Sequence, residues 1–304
     1  MLIKQHIVVR HPKDLTATWA QQIIDHHAFD ATVETVEIVS IEIGTTTRVR
    51  LNVHHNGPEC LSRRWFVKIP SLDWRARLIT ALPRLLHNEV RFYNEIAESI
   101  PVLKPTVLAG KSFFGIGSTL VLNDVTECGA TPGRPGDALS EVQASKVIEQ
   151  IAKLQARFWN SAHTIPEYRW LAGPIRRLED HLGTALAESL MRRGLKRAGN
   201  LVPKHLHAPA IRYARNRRRV MRYLSEGPKT IIHHDCHPGN IFWKHGQPGF
   251  LDWQLVRIGE GVGDVAYFLA TALDPVARKK HETKLLQHYL NVLSTHGIRE
   301  YDSA

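Results

Sequence analysis

The sequence predicts an α+β fold in two lobes, with a small antiparallel-sheet lobe over 1–125 and a mainly helical lobe over 126–304. Three observations predict it. Apolar and polar residues alternate with strand periodicity through much of the first part, whereas helical spacing dominates the second. Between them lies "TECGATPGRPGDA", a Gly-, Pro- and Thr-rich stretch that reads as a linker or surface loop. A strand-rich part followed by a helix-rich part, with no internal repeat, is the pattern of segregated α+β architecture.

Taken in order, "KDLTATWAQQIIDHH" reads as a short helix starting near Asp14 or Thr16. "TVETVEIVSIEIG", "TRVRLNVHH" and "RRWFVKIP" alternate as three strands of a meander, with "GTTTR" as the turn between the first two. Pro83 would break a continuous helix but suits the first turn of a new one, in which Leu86, Val90, Tyr93 and Ala97 recur at helical spacing. "PTVLAG" and "STLVLNDV" add two short strands. Beyond the linker, helices are predicted over 139–162, 175–193 and 208–226, then a hairpin turning through Gly246 to Gly249, then two closing helices from Gly263 and from Pro275.

Composition narrows the function. The chain is 304 residues long, 43% hydrophobic and 23% charged, with a formal net charge of +11, and a pI near 9.7. Such a balance favours anionic partners and fits a polycationic one poorly. Three irregularly spaced cysteines argue against a disulfide framework and suit a reducing compartment. Neither a signal peptide nor a membrane-span-length apolar stretch is evident, so a soluble cytoplasmic protein is expected.

The chemistry concentrates in "TIIHHDCHPGNIFW", 230–243. His233, His234, Cys236 and His237 are all metal-ligand types, but near-consecutive residues of one loop rarely converge on a tetrahedral zinc ion. Instead His233, Asp235 and Asn240 follow the order H-x-D-x-x-x-x-N, the catalytic-loop spacing of protein kinases. Phosphoryl transfer needs an aspartate to accept the proton of an attacking hydroxyl and hard oxygen ligands for magnesium. Asp252, ending the apolar run of "GFLDWQ", is positioned to be the second metal ligand beside Asn240. Upstream, Lys68 ends an apolar run on a strand and Glu89 adjoins the helical seam, the lysine–glutamate pair that such chemistry uses on nucleotide phosphates. Phe66 shares the strand face of Lys68 and is expected toward adenine, and Gly44, Thr45 and Thr46 of the turn are expected near phosphates.

With these residues in place the chain resembles the aminoglycoside phosphotransferase superfamily of small-molecule kinases, over about 40–270, and "HHDCHPGNIFW" with "NEVRFY" looks most like its ecdysteroid-kinase-like branch. The resemblance implies a protein-kinase-like bilobal fold with the nucleotide lobe first, and transfer of phosphate from ATP, or GTP, with Mg2+ to a hydroxyl of a small molecule. It implies Asp235 as the base, Asn240 and Asp252 as metal ligands, Lys68 and Glu89 as the phosphate-binding pair, and Asp264 as a brace for the catalytic loop. His233 and His237 match loop-shaping positions. Family members usually carry glycine where this chain has His234, so a positive φ there would strain it.

Helical inserts between about 164 and 226 are expected to form the acceptor pocket, and their excess of Arg and Lys favours a neutral or acidic acceptor such as a steroid or macrolide over an aminoglycoside or choline. Arg218 interrupts the seam of Ile211, Ala214, Met221 and Leu224, so it is expected to turn inward, toward a buried carboxylate or the substrate. The basic run "RYARNRRRVMRYL" reads as a solvated helix face, with nucleic-acid binding as the rival reading. No membrane partner is expected. A nucleotide-binding protein without transferase activity and a metallohydrolase are the other rivals.

Overall fold

The computed structural model describes residues 7–299, apart from 29, 82, 83, 114, 115 and 225. Pro83 therefore lies outside the described residues. The first lobe is built on a five-stranded antiparallel sheet of β1 (Val33–Ile43), β2 (Thr46–His55), β3 (Arg64–Pro70), β4 (Val107–Phe113) and β5 (Gly117–Asn123), in the spatial order β1-β2-β3-β5-β4. Strand alternation divides the two faces. Trp65, Val67 and Ile69 of β3 are buried together with Val49, Leu51 and Val53 against helix α1 (Ala17–Ile24), which contributes Trp19, Ala20, Ile23 and Ile24 to the same core. Thr16 caps α1, its side chain accepting from the Trp19 amide at 3.3 Å. Phe66 and Lys68 alternate to the opposite face.

That opposite face receives α3 (Leu85–Glu95), which follows α2 (Trp74–Ala81). Leu86, Val90 and Tyr93 are buried, and Ala97 continues the seam in a 3-10 turn. The turn between β1 and β2 is tighter than the five residues expected, because β2 begins at Thr46 and only Gly44 and Thr45 remain outside the strands.

In the second lobe, α4 (Glu141–Arg157) starts with a Ser140/Gln143 capping box and packs on α9 (Pro275–Thr295) and α8 (Gly261–Ala272). The helix expected over 175–193 is two, α5 (Pro174–Ala185) and α6 (Ala187–Ala198), followed by α7 (His207–Leu224). The short β6 (Thr131–Pro132) within the linker pairs with β8 (Ile241–Lys244), which forms a hairpin with β9 (Gln247–Phe250). The hairpin turns at His245–Gly246, both with positive φ, as a two-residue turn requires. Gly249, expected in the turn, lies in β9, where a Cβ would come within 2.3 Å of Phe242. A two-stranded ribbon of β7 (Lys229–Ile232) and β10 (Arg257–Glu260) was not expected from the sequence, since four-residue strands are too short to display a period.

One core runs continuously from the inner face of α3 through α4, α8 and α9. Phe92 of α3 stacks on Trp253 at 4.4 Å between centroids and 8° between planes, joining the lobes. Among the described residues no helix is long and apolar enough to cross a membrane.

Candidate active site

A cleft of about 460 Å3 opens between the sheet and the second lobe, and its walls include Lys68, Asp235, Asn240 and Asp252. Lys68 sits on β3 because the alternation that buries Val67 and Ile69 on one face points it to the other. Its Nζ donates to both Glu89 oxygens at 2.8 Å and to Asp252 Oδ1 at 2.9 Å. Glu89 is fully buried on the sheet-facing side of α3, and its Oε1 also accepts the Trp253 amide at 3.2 Å. One ammonium thus serves two carboxylates, Glu89 fully buried and Asp252 partly exposed to the cleft. Burial opposes the charge of Lys68, but Asp252 and Glu89 outweigh it and raise its pKa. Asp252 is likewise disfavoured by burial yet held below its usual value by Lys68. The uncompensated negative charge falls on Glu89, where burial pushes the pKa up to about 7 against the pull of Lys68.

The catalytic-type loop between β7 and β8 is organised by Asp264, one turn into α8. Its carboxylate accepts the amides of His233 and His234 at 2.7 and 2.9 Å, and its carbonyl accepts from Cys236 Sγ at 3.3 Å. Asp264 is 1% exposed, and burial raises its pKa to about 7 despite the two amide donors. His234 adopts φ 68°, the left-handed conformation whose requirement would strain a non-glycine residue. His233 spans the loop: its Nδ1 accepts the Asp235 amide at 3.2 Å, so its Nε2 donates to the Leu251 carbonyl at 2.8 Å. Burial keeps that ring neutral, with a pKa of about 4. His237 Nδ1 accepts the Gly239 amide at 3.0 Å and so caps the 3-10 turn that presents Asn240.

Asn240 Nδ2 donates to the Asp235 carbonyl at 2.9 Å and to its Oδ2 at 3.0 Å, while the Leu251 amide donates to the Asn240 carbonyl at 2.8 Å. These bonds tie Asn240 to Asp235 and to Leu251, the neighbour of Asp252, so that Asp235 and Asp252 flank one patch although 17 residues separate them. With Nδ2 committed, the amide oxygen of Asn240 is its remaining ligand atom. Together with the Asp252 carboxylate it forms a hard-oxygen donor set, which fits Mg2+ and does not fit a soft-metal site.

Not every expected residue faces the cleft. Phe66 does, but the Arg50 guanidinium lies 5.4 Å from its ring centroid and shares that wall. Gly44, Thr45 and Thr46 do not line it: the Gly44 amide is spent on the Thr46 carbonyl at 3.0 Å, and both threonines line a second cavity. Arg218 is exposed rather than turned inward. The buried stripe of α7 takes the i+3 step from Ala214 to Arg217, which is half-buried, and Arg218 falls outside it.

Three residues were missed. Arg48 and Arg50 enter the cleft from β2, with Arg48 in register opposite Lys68, and the Arg48 Nε is buried with no hydrogen-bond partner among the described residues. The alternation of "TRVRL" carries that signal. Tyr267, three residues after Asp264, donates its hydroxyl to Asp235 Oδ1 at 3.0 Å. Its helical spacing was legible, but the contact joins segments 32 residues apart.

The model of the Phosphotransferase enzyme family, APH, matches residues 45–298, and the chain belongs to that family. The superfamily resemblance read from the motifs is therefore correct. No curated protein sequence matches the chain. Among solved structures it is similar to a choline kinase from Cryptosporidium parvum, with a TM-score of 0.52 and 13% identity over 86% of this chain and 74% of that one. It is similarly related to APH(2")-IIia in complex with GDP and kanamycin, with a TM-score of 0.51 and 13% identity over 91% of this chain and 88% of that one. The fold is α+β, bilobal and protein-kinase-like, as expected.

Proposed function

We propose that this phosphotransferase-family chain is a small-molecule kinase that moves the γ-phosphate of ATP to a hydroxyl group. The observation that carries the reading is the gathering of Lys68, Asp235, Asn240 and Asp252 around one cleft. In this reading Asp235 accepts the proton of the acceptor hydroxyl as it attacks, and Lys68, braced by Glu89, holds the nucleotide phosphates. Asn240 and Asp252 hold magnesium, which when bound neutralises charge on the β- and γ-phosphates. Asp264 and His233 fix the loop, and His237 shapes its last turn. Arg48 and Arg50 supply positive charge on the cleft wall, where the β1–β2 turn supplies none of its amides.

The acceptor reading rests on α5 and α6. Leu178, Leu182, Leu186 and Leu190 recur every four residues and are 41–53% exposed. Asp180, on the same helix, makes a paired contact with Arg257 of β10 at 2.6 and 3.1 Å, and both act electrostatically on His234 of the loop. An exposed apolar stripe, on a helix whose opposite face carries a carboxylate already paired with arginine, suits a neutral alcohol with a broad apolar body better than a polyamine. Steroid and macrolide alcohols are the candidates. The free thiols Cys60, Cys128 and Cys236 fit a reducing, cytoplasmic setting.

A screen of such alcohols with γ-labelled ATP tests the proposal. Label should reach at least one acceptor, and Asp235→Asn should lower turnover by about 100-fold or more. Nucleotide binding with no acceptor labelled across neutral and cationic alcohols would favour a non-transferring nucleotide binder. Transfer undiminished in Asp235→Asn would remove the base assignment.

A further inference from the structure

Among the described residues, no residue of α6 is buried and α7 buries only Ala214. Both helices therefore belong to the surface. The charge gathered there is unlike that of the rest of the chain. Residues 189–224 hold eleven Lys and Arg and neither Asp nor Glu. That equals the whole formal net charge of +11, so the other 29 basic residues are balanced by the chain's 29 acidic ones. The nucleotide cleft uses none of this excess, because no residue of the segment lines it.

The cations are arranged, not scattered. On α7, Arg212, Arg215, Arg219 and Arg222 recur at steps of three and four, which places them on one side of the helix, and all four are exposed. Tyr223, one turn beyond Arg219 and also exposed, extends that side. Glu188 joins α6 to it, since its carboxylate accepts from Arg192 of its own helix at 2.9 Å and pairs with Arg215 of α7 at 2.9 Å. The basic edges of the two helices thus lie side by side. The connection between them, 199–206, carries a different signal. Leu201 is 88% exposed and Leu206 is 45% exposed. Lys196 and Arg197 precede this pair and Lys204 lies within it, all three exposed.

We propose that this face docks on a membrane surface carrying anionic phospholipid, with the cations of α6 and α7 on the headgroup phosphates and Leu201 and Leu206 in the acyl boundary beneath. Charge complementarity calls for an anionic partner, because an acid-free segment holding all of the chain's excess charge is drawn to a negative leaflet. The leucines choose among anionic partners. A nucleic acid meets arginines through its phosphates but offers Leu201 no apolar phase to enter, whereas a bilayer accommodates both groups. Tyr223 suits the same boundary, where an amphipathic ring has one end in water. No helix among the described residues is long and apolar enough to span a bilayer, and peripheral docking needs none. Docking engages no group of the nucleotide cleft, so it stands whether or not the chain transfers phosphate.

Flotation of the full chain with lipid vesicles tests the assignment. Phosphatidylcholine vesicles with about one-third phosphatidylserine should bind the chain about ten-fold more strongly than phosphatidylcholine alone, and raising salt from about 0.1 to about 0.5 M should release it. The variant Arg193→Gln/Arg197→Gln/Arg212→Gln/Arg219→Gln, changed only at exposed positions, should lose about ten-fold or more of that binding with its melting temperature unchanged. Arg212→Gln/Arg219→Gln alone gives the same readout if the fourfold variant fails to fold. Leu201→Ser should weaken vesicle binding by about five-fold while the salt dependence persists. Equal binding to both kinds of vesicle overturns the proposal, as does phosphatidylserine binding that Leu201→Ser leaves unchanged. A single-stranded oligonucleotide bound more tightly than the phosphatidylserine vesicles, with no effect of Leu201→Ser, overturns it in favour of a nucleic-acid face.

Discussion

Both carboxylate oxygens of Asp235 accept a hydrogen bond, Oδ2 from Asn240 and Oδ1 from Tyr267. Burial, with the charge of Asp235, pushes the Tyr267 hydroxyl up to about 12, so it remains a donor throughout the neutral range. Tyr267→Phe removes one bond to an ionised group while leaving the ring. Turnover should fall about ten-fold with KM for ATP nearly unchanged, as steady-state kinetics will show. Asp264 poses a different question, because its carboxyl is buried and its folded-state pKa is about 7. A carboxyl raised in the folded state binds protons that the unfolded chain has released. Its contribution is therefore fully present below the ordinary aspartate pKa and is lost as pH rises to about 7. In urea titrations the stability advantage of the native chain over Asp264→Asn should shrink between about pH 4 and 7. At about pH 4 the variant should be less stable by about 1–3 kcal/mol, because its amide NH2 cannot accept from the second backbone donor, whereas the hydroxyl oxygen of a protonated carboxyl can. His234 carries a cost of about 1–2 kcal/mol for its left-handed backbone, and the bond from its amide to Asp264 offsets part of it.

At the scale of elements, α3 is a clamp. Its outward turn is solvated, with Arg91 and Glu95 paired at 2.7 Å, while its inward turn places Glu89 on Lys68. The exposed pair contributes little. The inner group contributes through the cost of breaking it. Lys68→Met leaves Glu89 buried with no cation and should cost about 3–5 kcal/mol in chemical denaturation. Adding Glu89→Leu should recover part of that loss while nucleotide binding stays impaired, which separates stability from function. A double variant as unstable as Lys68→Met alone would show that Asp252, rather than Glu89, carries the penalty. The long alternating strands and the well-patterned α4 were legible from period alone. The β7–β10 ribbon was not, because four residues show no period, and the split of α5 from α6 was hidden by leucine spacing that continues through Leu186.

Across the whole molecule, a ligand in the cleft touches both lobes, which the Phe92–Trp253 stack and the continuous core hold together. Nucleotide bound there should stabilise the chain globally. Mg2+ and ATP at about 100 times Kd should add about 2.7 kcal/mol, read as a rise in melting temperature. Asp235→Asn should retain most of that rise, and Asp252→Asn should lose it. Equal shifts in the two variants would remove Asp252 from the nucleotide-metal site.

By itself the sequence determined the family and the α+β, bilobal fold, and it singled out Lys68, Glu89, Asp235, Asn240, Asp252 and Asp264 as candidates, because spacing within a motif and strand or helix period are local properties of the chain. The tertiary structure alone decided which neighbours complete the site. It turned Gly44, Thr45 and Thr46 away from the cleft, brought in Arg48, Arg50 and Tyr267, and left Arg218 in solvent in favour of Arg217. Those outcomes depend on strand register, on the rotation of α7 against its partners, and on contacts between segments distant in sequence. Such contacts are set by how the whole core packs, and no short window of residues encodes them.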